Sequence, residues 1–254
     1  MGGKRRLLRE GIMSNTVKPY NRGGKKEEVE QMFDNIAHRY DFLNRLFSLR
    51  IDTLWRKKAL GLIRRSEPTN LLDVATGTAD FAISAARTIP SLRKITGIDL
   101  SEGMLSHGRM KLRARQLDHR IELLKGDSEQ LPFDDHSFDA VTVAFGVRNF
   151  ENLRAGLLEM RRVLREGAPV IILEFSRPER FPVKQLFGFY FRRIMPVVGR
   201  IFSRDHRAYT YLPESVDQFP SGEAFLDILR ETGFREVRCI PLSGGIASIY
   251  TGIR

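Results

Sequence analysis

A single cysteine, Cys239, in 254 residues leaves no material for a disulfide framework, a thiolate zinc site or an iron–sulfur cluster, and it suits a reducing cytoplasm. The five histidines, His38, His107, His119, His136 and His206, stand at no metal-ligand spacing, so no metal is expected. No charge-free apolar run approaches the ~20 residues that a bilayer-spanning helix needs. The opening MGGKRRLLREGIM has basic residues but no apolar stretch, which argues against a secretory signal. Arg6 stands where N-myristoylation would need Ser or Thr. What is present is ordinary globular material, 42% hydrophobic and 29% charged, enough for one sizeable core.

The net charge of +11 is unevenly placed. Residues 1–26 carry +7 and residues 177–207 carry +6, leaving −2 for everything else. A slightly acidic body with two basic appendages differs from the broad basic face of a nucleic-acid binder, and no nucleic-acid partner is expected. Local basic patches suit an anionic membrane surface instead. Residues 1–26 are expected to form a flexible tail, and residues 27–254 a single domain.

Apolar residues at spacings of three and four, among them Val29, Phe33, Ala37 and Tyr40, predict helix from Glu27 to about Arg65, a helical cap ended by Ser66-Glu67-Pro68. Short apolar runs then alternate with helical stretches. The runs NLLDVAT, KITGID, IELLKGD, AVTVAF and PVIILEF read as strands, and Ser101 reads as the cap of the helix that follows KITGID. Helices are expected over about 79–87, 101–116, 151–165 and 223–232, and FREVRCI and ASIYTGI form a late hairpin. The alternation predicts an α/β fold: a Rossmann-like, mostly parallel seven-stranded sheet with helices on both faces and an antiparallel edge hairpin.

Ligands of such sheets bind beyond the C-terminal strand ends, near the point where strand order reverses. The first strand runs into DVATGTAD (73–80), where Gly77 lets the backbone approach a ligand closely. The second ends at Asp99, at the distance where an acidic residue meets ribose hydroxyls. Geometry alone allows a dinucleotide or S-adenosyl-L-methionine. Two features favour the latter. The G-x-G-x-x-G fingerprint for a pyrophosphate is missing, with Ala75 and Ala79 in place of two possible glycines. Asp73, Asp80, Asp99 and Asp127 supply acceptors and negative charge for a diol, an amino group and a sulfonium. Asp127 and Ser128, at the third strand's end, are placed to meet the adenine, with Leu131, Pro132 and Phe133 as an apolar wall.

With these strand ends the sequence resembles a class I S-adenosylmethionine-dependent methyltransferase, and more narrowly the ubiquinone/menaquinone biosynthesis C-methyltransferases of the UbiE/MenG type. The first family signature reads YDFLN (40–44), Ser48, then Asp52-Thr53-Leu54-Trp55, with Leu43 for Met and Asp52 for His. The second reads RVLREGA (162–168) and PVIILEFS (169–176), departing at Glu166 and Ala168. LPF (131–133), FGVRN (145–149) and YTYLPES (209–215) add to the match, which runs from about Val29 to the C-terminus. The resemblance places Thr78, Asp99, Asp127 and Ser128 at the methyl donor. It implies a prenylated hydroquinone as acceptor, most simply demethylmenaquinol, with the benzoquinol of ubiquinone biosynthesis or another small hydrophobic acceptor as alternatives.

The acceptor's ring carbon becomes nucleophilic when a neighbouring hydroxyl loses its proton, and a free phenol titrates near ~10. Arg148 and Asn149, just past the fourth strand, are the residues expected to serve this step. Arg148 would stabilise the phenolate or hold a water, and Asn149 would orient the hydroxyl. Asp34, His38, Tyr40, Tyr209 and Tyr211 are second-tier candidates for the same step, and Tyr40, Phe145, Tyr209 and Tyr211 are expected to bind the acceptor. Within the insertion at 177–222, residues 184–203 place Phe187, Tyr190, Phe191, Ile194, Met195, Val198 and Phe202 on one helical face, bent at Pro196. Such a helix would cover the acceptor pocket and turn its arginines to lipid headgroups, at the inner face of the cytoplasmic membrane. A nucleic-acid methyltransferase fits less well: no N/D-P-P-Y/F motif occurs, and Cys239 lies in a late strand.

Overall fold

The computed structural model describes residues 17–48, 50–190, 193 and 206–254. Seven strands form one sheet: β1 (Asn70–Val74), β2 (Lys94–Asp99), β3 (Ile121–Lys125), β4 (Ala140–Ala144), β5 (Pro169–Phe175), β6 (Arg235–Leu242) and β7 (Ala247–Ile253). Their order is β3-β2-β1-β4-β5-β7-β6. The first five are parallel, while β7 runs antiparallel to both β5 and β6, so the late hairpin closes one edge as its sequence predicted.

Successive residues of a strand face opposite sides, and both sides are apolar here. Ile171 and Leu173 join a core with Trp55, Leu60, Phe81 and Leu105, and Val170 and Ile172 join another with Leu157, Met160 and Phe225. The first core is roofed by α2 (Ile51–Ile63), α3 (Asp80–Thr88) and α4 (Glu102–Ala114). The second is roofed by α5 (Leu153–Val163) and α8 (Glu223–Glu231). Two helix starts carry side-chain caps: Ser101 Oγ, as expected, accepts the Met104 N–H at 3.0 Å, and Asn152 Oδ1 accepts that of Ala155 at 3.1 Å.

The N-terminal helical cap differs from expectation. One helix over 27–65 is replaced by α1 (Lys25–Phe47) and α2, separated at Arg50, whose φ of 65° is left-handed. Ser48 and Asp52 explain the break. Ser48 Oγ accepts the Arg50 N–H at 3.2 Å and donates to Asp52 Oδ1 at 2.6 Å, so short polar side chains take over backbone bonding that a continuous helix would need. Within residues 17–26, read from sequence with the tail, Val17 and Tyr20 pack against the cluster that holds Val29, Met32 and Tyr211, while residues 21–24 are exposed.

α1 belongs to neither sheet face. It lies across the C-terminal strand ends and is fastened there by polar contacts. Asp34 Oδ1 accepts Ser101 Oγ at 2.5 Å and the Gly103 N–H at 2.9 Å, Glu30 pairs with Lys125 at 2.7 Å, and Asp41 accepts Thr78 Oγ1 at 2.5 Å. Two further described helices, α6 (Val183–Phe189) and α7 (His206–Gln218), bring Phe187 and Val216 together beside Phe175 at the end of β5.

Candidate active site

Between β1 and β4 the strand order reverses, and above that point lies a partly open cavity bounded by α1 and the loops that follow β1 to β4. The loops leaving β1 and β4 nearly touch. A Cβ at Gly146 would stand 2.5 Å from that of Ala75, so only glycine permits the approach. Three residues around it, Ala75 (φ 52°), Gly77 (φ 56°) and Phe145 (φ 62°), hold left-handed backbone. Two of these carry a side chain, and such strain concentrates at functional sites.

At the end formed by β1 to β3, Gly77, Asp99, Asp127 and Ser128 all line the cavity. Asp99 Oδ2 accepts the Gly77 N–H at 2.8 Å and its Oδ1 accepts that of Ser101 at 3.0 Å. Burial pushes this carboxyl up to about 6 despite those two donors. Asp127 Oδ1 accepts the Glu129 N–H at 2.8 Å, and its Oδ2 pairs with Lys26 at 2.7 Å. Lys26 also reaches Glu129 at 3.0 Å. The wall carries five carboxylates, on Glu30, Asp99, Asp127, Glu129 and Glu151, against the one ammonium of Lys26.

Three residues expected at the donor lie behind the wall instead. Asp73 is buried under the floor, its oxygens accepting Thr76 Oγ1 at 2.6 Å and Thr142 Oγ1 at 2.8 Å, and burial raises its pKa to about 6. It ties the β1 turn to β4. Thr78 and Asp80 face α4, where the Lys111 ammonium bonds Thr78 Oγ1 at 2.9 Å, Asp41 at 2.7 Å and Asp80. Burial disfavours the charge on Asp80, but Lys111 holds its carboxyl below the usual range. Leu131 and Phe133 pack into the sheet core, Phe133 edge-on to Phe138 at 5.1 Å, and do not wall the cavity.

The opposite end is aromatic. Tyr40, Phe145, Asn149 and Phe150 line it, joined by Phe33, which meets Tyr40 edge-on at 5.9 Å. Burial raises the Tyr40 phenol above its ordinary value. Asn149 belongs to a short 3₁₀ turn, Val147–Asn149, and its Oδ1 accepts the hydroxyl of buried Tyr211 at 3.1 Å. Arg148 points the other way, into the sheet. Its guanidinium donates to Glu174 Oε1 at 2.8 Å and to the Phe145 carbonyl, and it lies 5.6 Å from the Phe175 ring centroid. Tyr211 therefore reaches the site through Asn149, and Arg148 supports the turn from beneath. The side chain of Tyr209 and, apart from Arg193, the residues of 191–205 lie outside the described ones, including the expected bend at Pro196.

Sequence reasoning missed Lys25, Lys26, Glu28, Phe33, Glu129 and Glu174. Lys25 and Lys26 were masked by the run of basic residues before them. Phe33 and Glu174 carried only the signals of an amphipathic helix and a buried strand.

A model of the ubiE/COQ5 methyltransferase family matches residues 21–254. The chain belongs to that family. It is 52% identical to the demethylmenaquinone methyltransferase of Porphyromonas gingivalis over 91% of this chain and 94% of the relative. It is 46% identical to the ubiquinone/menaquinone biosynthesis C-methyltransferase UbiE of Geobacter sulfurreducens over 90% of this chain and 89% of the relative. Among solved structures, a SAM-dependent methyltransferase from Aquifex aeolicus superposes with a TM-score of 0.54 at 20% identity, covering 73% of this chain and 81% of that one. That likeness supports the fold, a class I methyltransferase architecture. The family match makes this chain a methyltransferase, and it includes Lys25, Lys26 and Glu28.

Proposed function

We propose that this chain transfers a methyl group from S-adenosyl-L-methionine to a ring carbon of a prenylated quinol, converting demethylmenaquinol to menaquinol. The observation that carries this reading is the 52% identity across nearly all of both chains with a protein named for that activity. The charge of the cavity supports the donor. Five carboxylates against one ammonium would repel a dinucleotide pyrophosphate and attract a sulfonium bearing an amino group. When bound, that donor supplies an electrophilic methyl, and the C–S electron pair stays on sulfur as the new C–C bond forms.

The protein's tasks are then binding, alignment and proton handling. Asp99 would accept the ribose hydroxyls, and Asp127 and Ser128 would meet the adenine. Tyr40, Phe145 and Phe33 would hold the acceptor ring and align its carbon with the methyl. Asn149, held by Tyr211, orients the ring hydroxyl as it loses its proton. Arg148 fixes the turn that carries Asn149 and places a permanent positive charge behind it. Rearomatisation takes the ring proton from carbon while the oxygen regains one, so a single proton is released overall.

A prenylated acceptor resides in a bilayer, and no described helix is long and apolar enough to cross one. The surface around α6 suits peripheral contact from the cytoplasmic side: Phe181, Leu186 and Phe189 are 80%, 66% and 62% exposed, beside Arg180 and Lys184. Sedimentation with phosphatidylglycerol vesicles is expected at low salt and should weaken several-fold as ionic strength rises through a Debye length of ~10 Å. Failure to sediment at any salt would remove the membrane element. The activity itself is tested with prenylated naphthoquinol and benzoquinol acceptors and labelled donor, with mass spectrometry of the product. Ring-methylated naphthoquinol is expected. Preference for the benzoquinol would move the chain to the ubiquinone branch, and no product from either would end the reading.

A further inference from the structure

Lys25 is the one buried lysine among the described residues, 1% exposed, and its position is odd for an ammonium. It makes no ion pair among the described residues. It donates instead to the carbonyl of Phe150 at 2.7 Å and, more distantly, to that of Arg148 at 3.4 Å. These are the carbonyls at the exit of the Val147–Asn149 turn, where helical backbone leaves acceptors without partners and a cation is favourable. Glu174 holds the same turn from the sheet side, its Oε2 accepting the Arg148 N–H at 3.3 Å. The turn is thus gripped from both sides, by a carboxylate from β5 and an ammonium from α1.

The chain before Lys25 is arranged to keep it there. The Glu28 carboxylate gathers four backbone N–H groups, from Tyr20 at 2.6 Å, Asn21 at 2.8 Å, Gly23 at 2.6 Å and Arg22. Burial opposes its charge, yet these donors hold its pKa below the ordinary value. This folds residues 20–24 onto the first turn of α1, and Lys26, the residue after Lys25, grips Asp127 and Glu129. Glu129 in turn accepts the Glu151 and Asn152 N–H groups at 2.8 and 3.0 Å. One turn of α1 therefore sets both the donor wall and the acceptor turn.

We propose that Lys25 is a positioning residue for methyl transfer: its ammonium fixes the Val147–Asn149 turn and so the reach of Asn149 into the cavity. The inference rests on the reading that this turn serves the acceptor. Burial lowers the Lys25 pKa to about 8, Arg148 pushes in the same direction, and Glu129 and Glu151 oppose them. Lys26, Glu27 and Glu28 are the charged neighbours on the first turn of its own element.

The test uses the full chain and its Lys25→Met and Lys25→Arg variants, with kcat, both KM values, donor Kd by calorimetry, thermal midpoint and a pH profile. In Lys25→Met, kcat should fall roughly 10- to 100-fold, the worth of one charge-assisted hydrogen bond, while donor Kd stays within about threefold. Wild-type kcat should decline above about pH 8 as the ammonium is lost, and this limb should vanish in Lys25→Arg, which stays charged and recovers part of the rate. A Lys25→Met enzyme with a lower melting point but unchanged kcat would overturn the proposal. So would an alkaline limb that persists in Lys25→Arg, a measurement that remains decisive if the methionine variant fails to fold. If Asn149→Ala also leaves turnover intact, the assignment of the turn itself has failed; if it abolishes turnover while Lys25→Met does not, only the role of Lys25 is lost.

Discussion

Arg148→Ala should lose both stability and turnover, and the two losses should separate. Glu174 is wholly inaccessible to solvent and has Arg148 as its ion-pair partner. Removing the arginine leaves a buried carboxylate uncompensated, a change that costs about 3–5 kcal/mol. For a chain of this size that is a midpoint drop on the order of 10 °C. Turnover should fall roughly 100- to 1,000-fold even well below that midpoint, the range for losing a preorganised charge-stabilising group. Donor affinity should stay within a few-fold, because Asp99, Asp127 and Ser128 belong to other loops. A double variant, Arg148→Met with Glu174→Leu, separates the effects. Replacing both partners of a buried pair with apolar groups is close to neutral for stability, so the melting point should return while activity does not. Recovery of both would make the pair purely structural, and equal loss of donor binding in Arg148→Ala would make the turn part of the donor site.

That outcome was only half legible in the sequence. The run FGVRN marked a loop at the right strand end, because a parallel strand terminates its apolar pattern there and ligands bind beyond that point. What the pattern did not reveal is that Arg148 and Asn149, adjacent in sequence, diverge. In a three-residue 3₁₀ turn consecutive side chains point about a third of a turn apart, so Asn149 meets the cavity while Arg148 meets β5. Its partner Glu174 sits inside PVIILEF, and only the burial of both strand faces shows that a carboxylate there needs a counter-charge.

The same distinction runs through the donor end. Asp99 and Gly77 were readable because the turn geometry after β1 and the acid at the end of β2 are consequences of strand spacing. Asp73, Thr78 and Asp80 lie in the same stretch and differ only in direction. Three successive left-handed residues at alternating positions, Ala75, Gly77 and Ala79, rotate the loop so that every second side chain faces inward toward protein. The break between α1 and α2 was hidden for a related reason. Apolar periodicity continues across it, and the competing bonds of Ser48 and Asp52 are local chemistry that a period cannot register. Asp52, the departure from the family's histidine, has a structural use here, pairing with Arg56 at 3.3 Å in the first turns of α2.

The donor site gives the second large effect. Asp99→Ala removes the acceptor of two backbone N–H groups and, in the proposed complex, of the ribose diol, so donor Kd should rise roughly 100-fold or more, as the loss of two charge-assisted hydrogen bonds implies. The pH dependence is more diagnostic. Burial raises Asp99 to about 6 in the donor-free protein, so its ionised, accepting form is depleted as pH falls through 6. Donor affinity should therefore weaken towards tenfold per pH unit below that point. Asp99→Asn should bind weakly at every pH without this slope. Stability moves the opposite way. A carboxyl whose folded pKa exceeds its unfolded value of ~4 binds an extra proton in the native state between those two values, so its contribution favours folding as pH falls from about 6 towards 4. Relative to Asp99→Asn, the donor-free wild-type should gain melting temperature over that window, just where it loses affinity. Calorimetric titration and thermal melts at pH 5 and pH 7, each ~1 unit from the raised value, measure both trends. Parallel rather than opposed trends would mean that Asp99 is not the group coupling the proton to the donor.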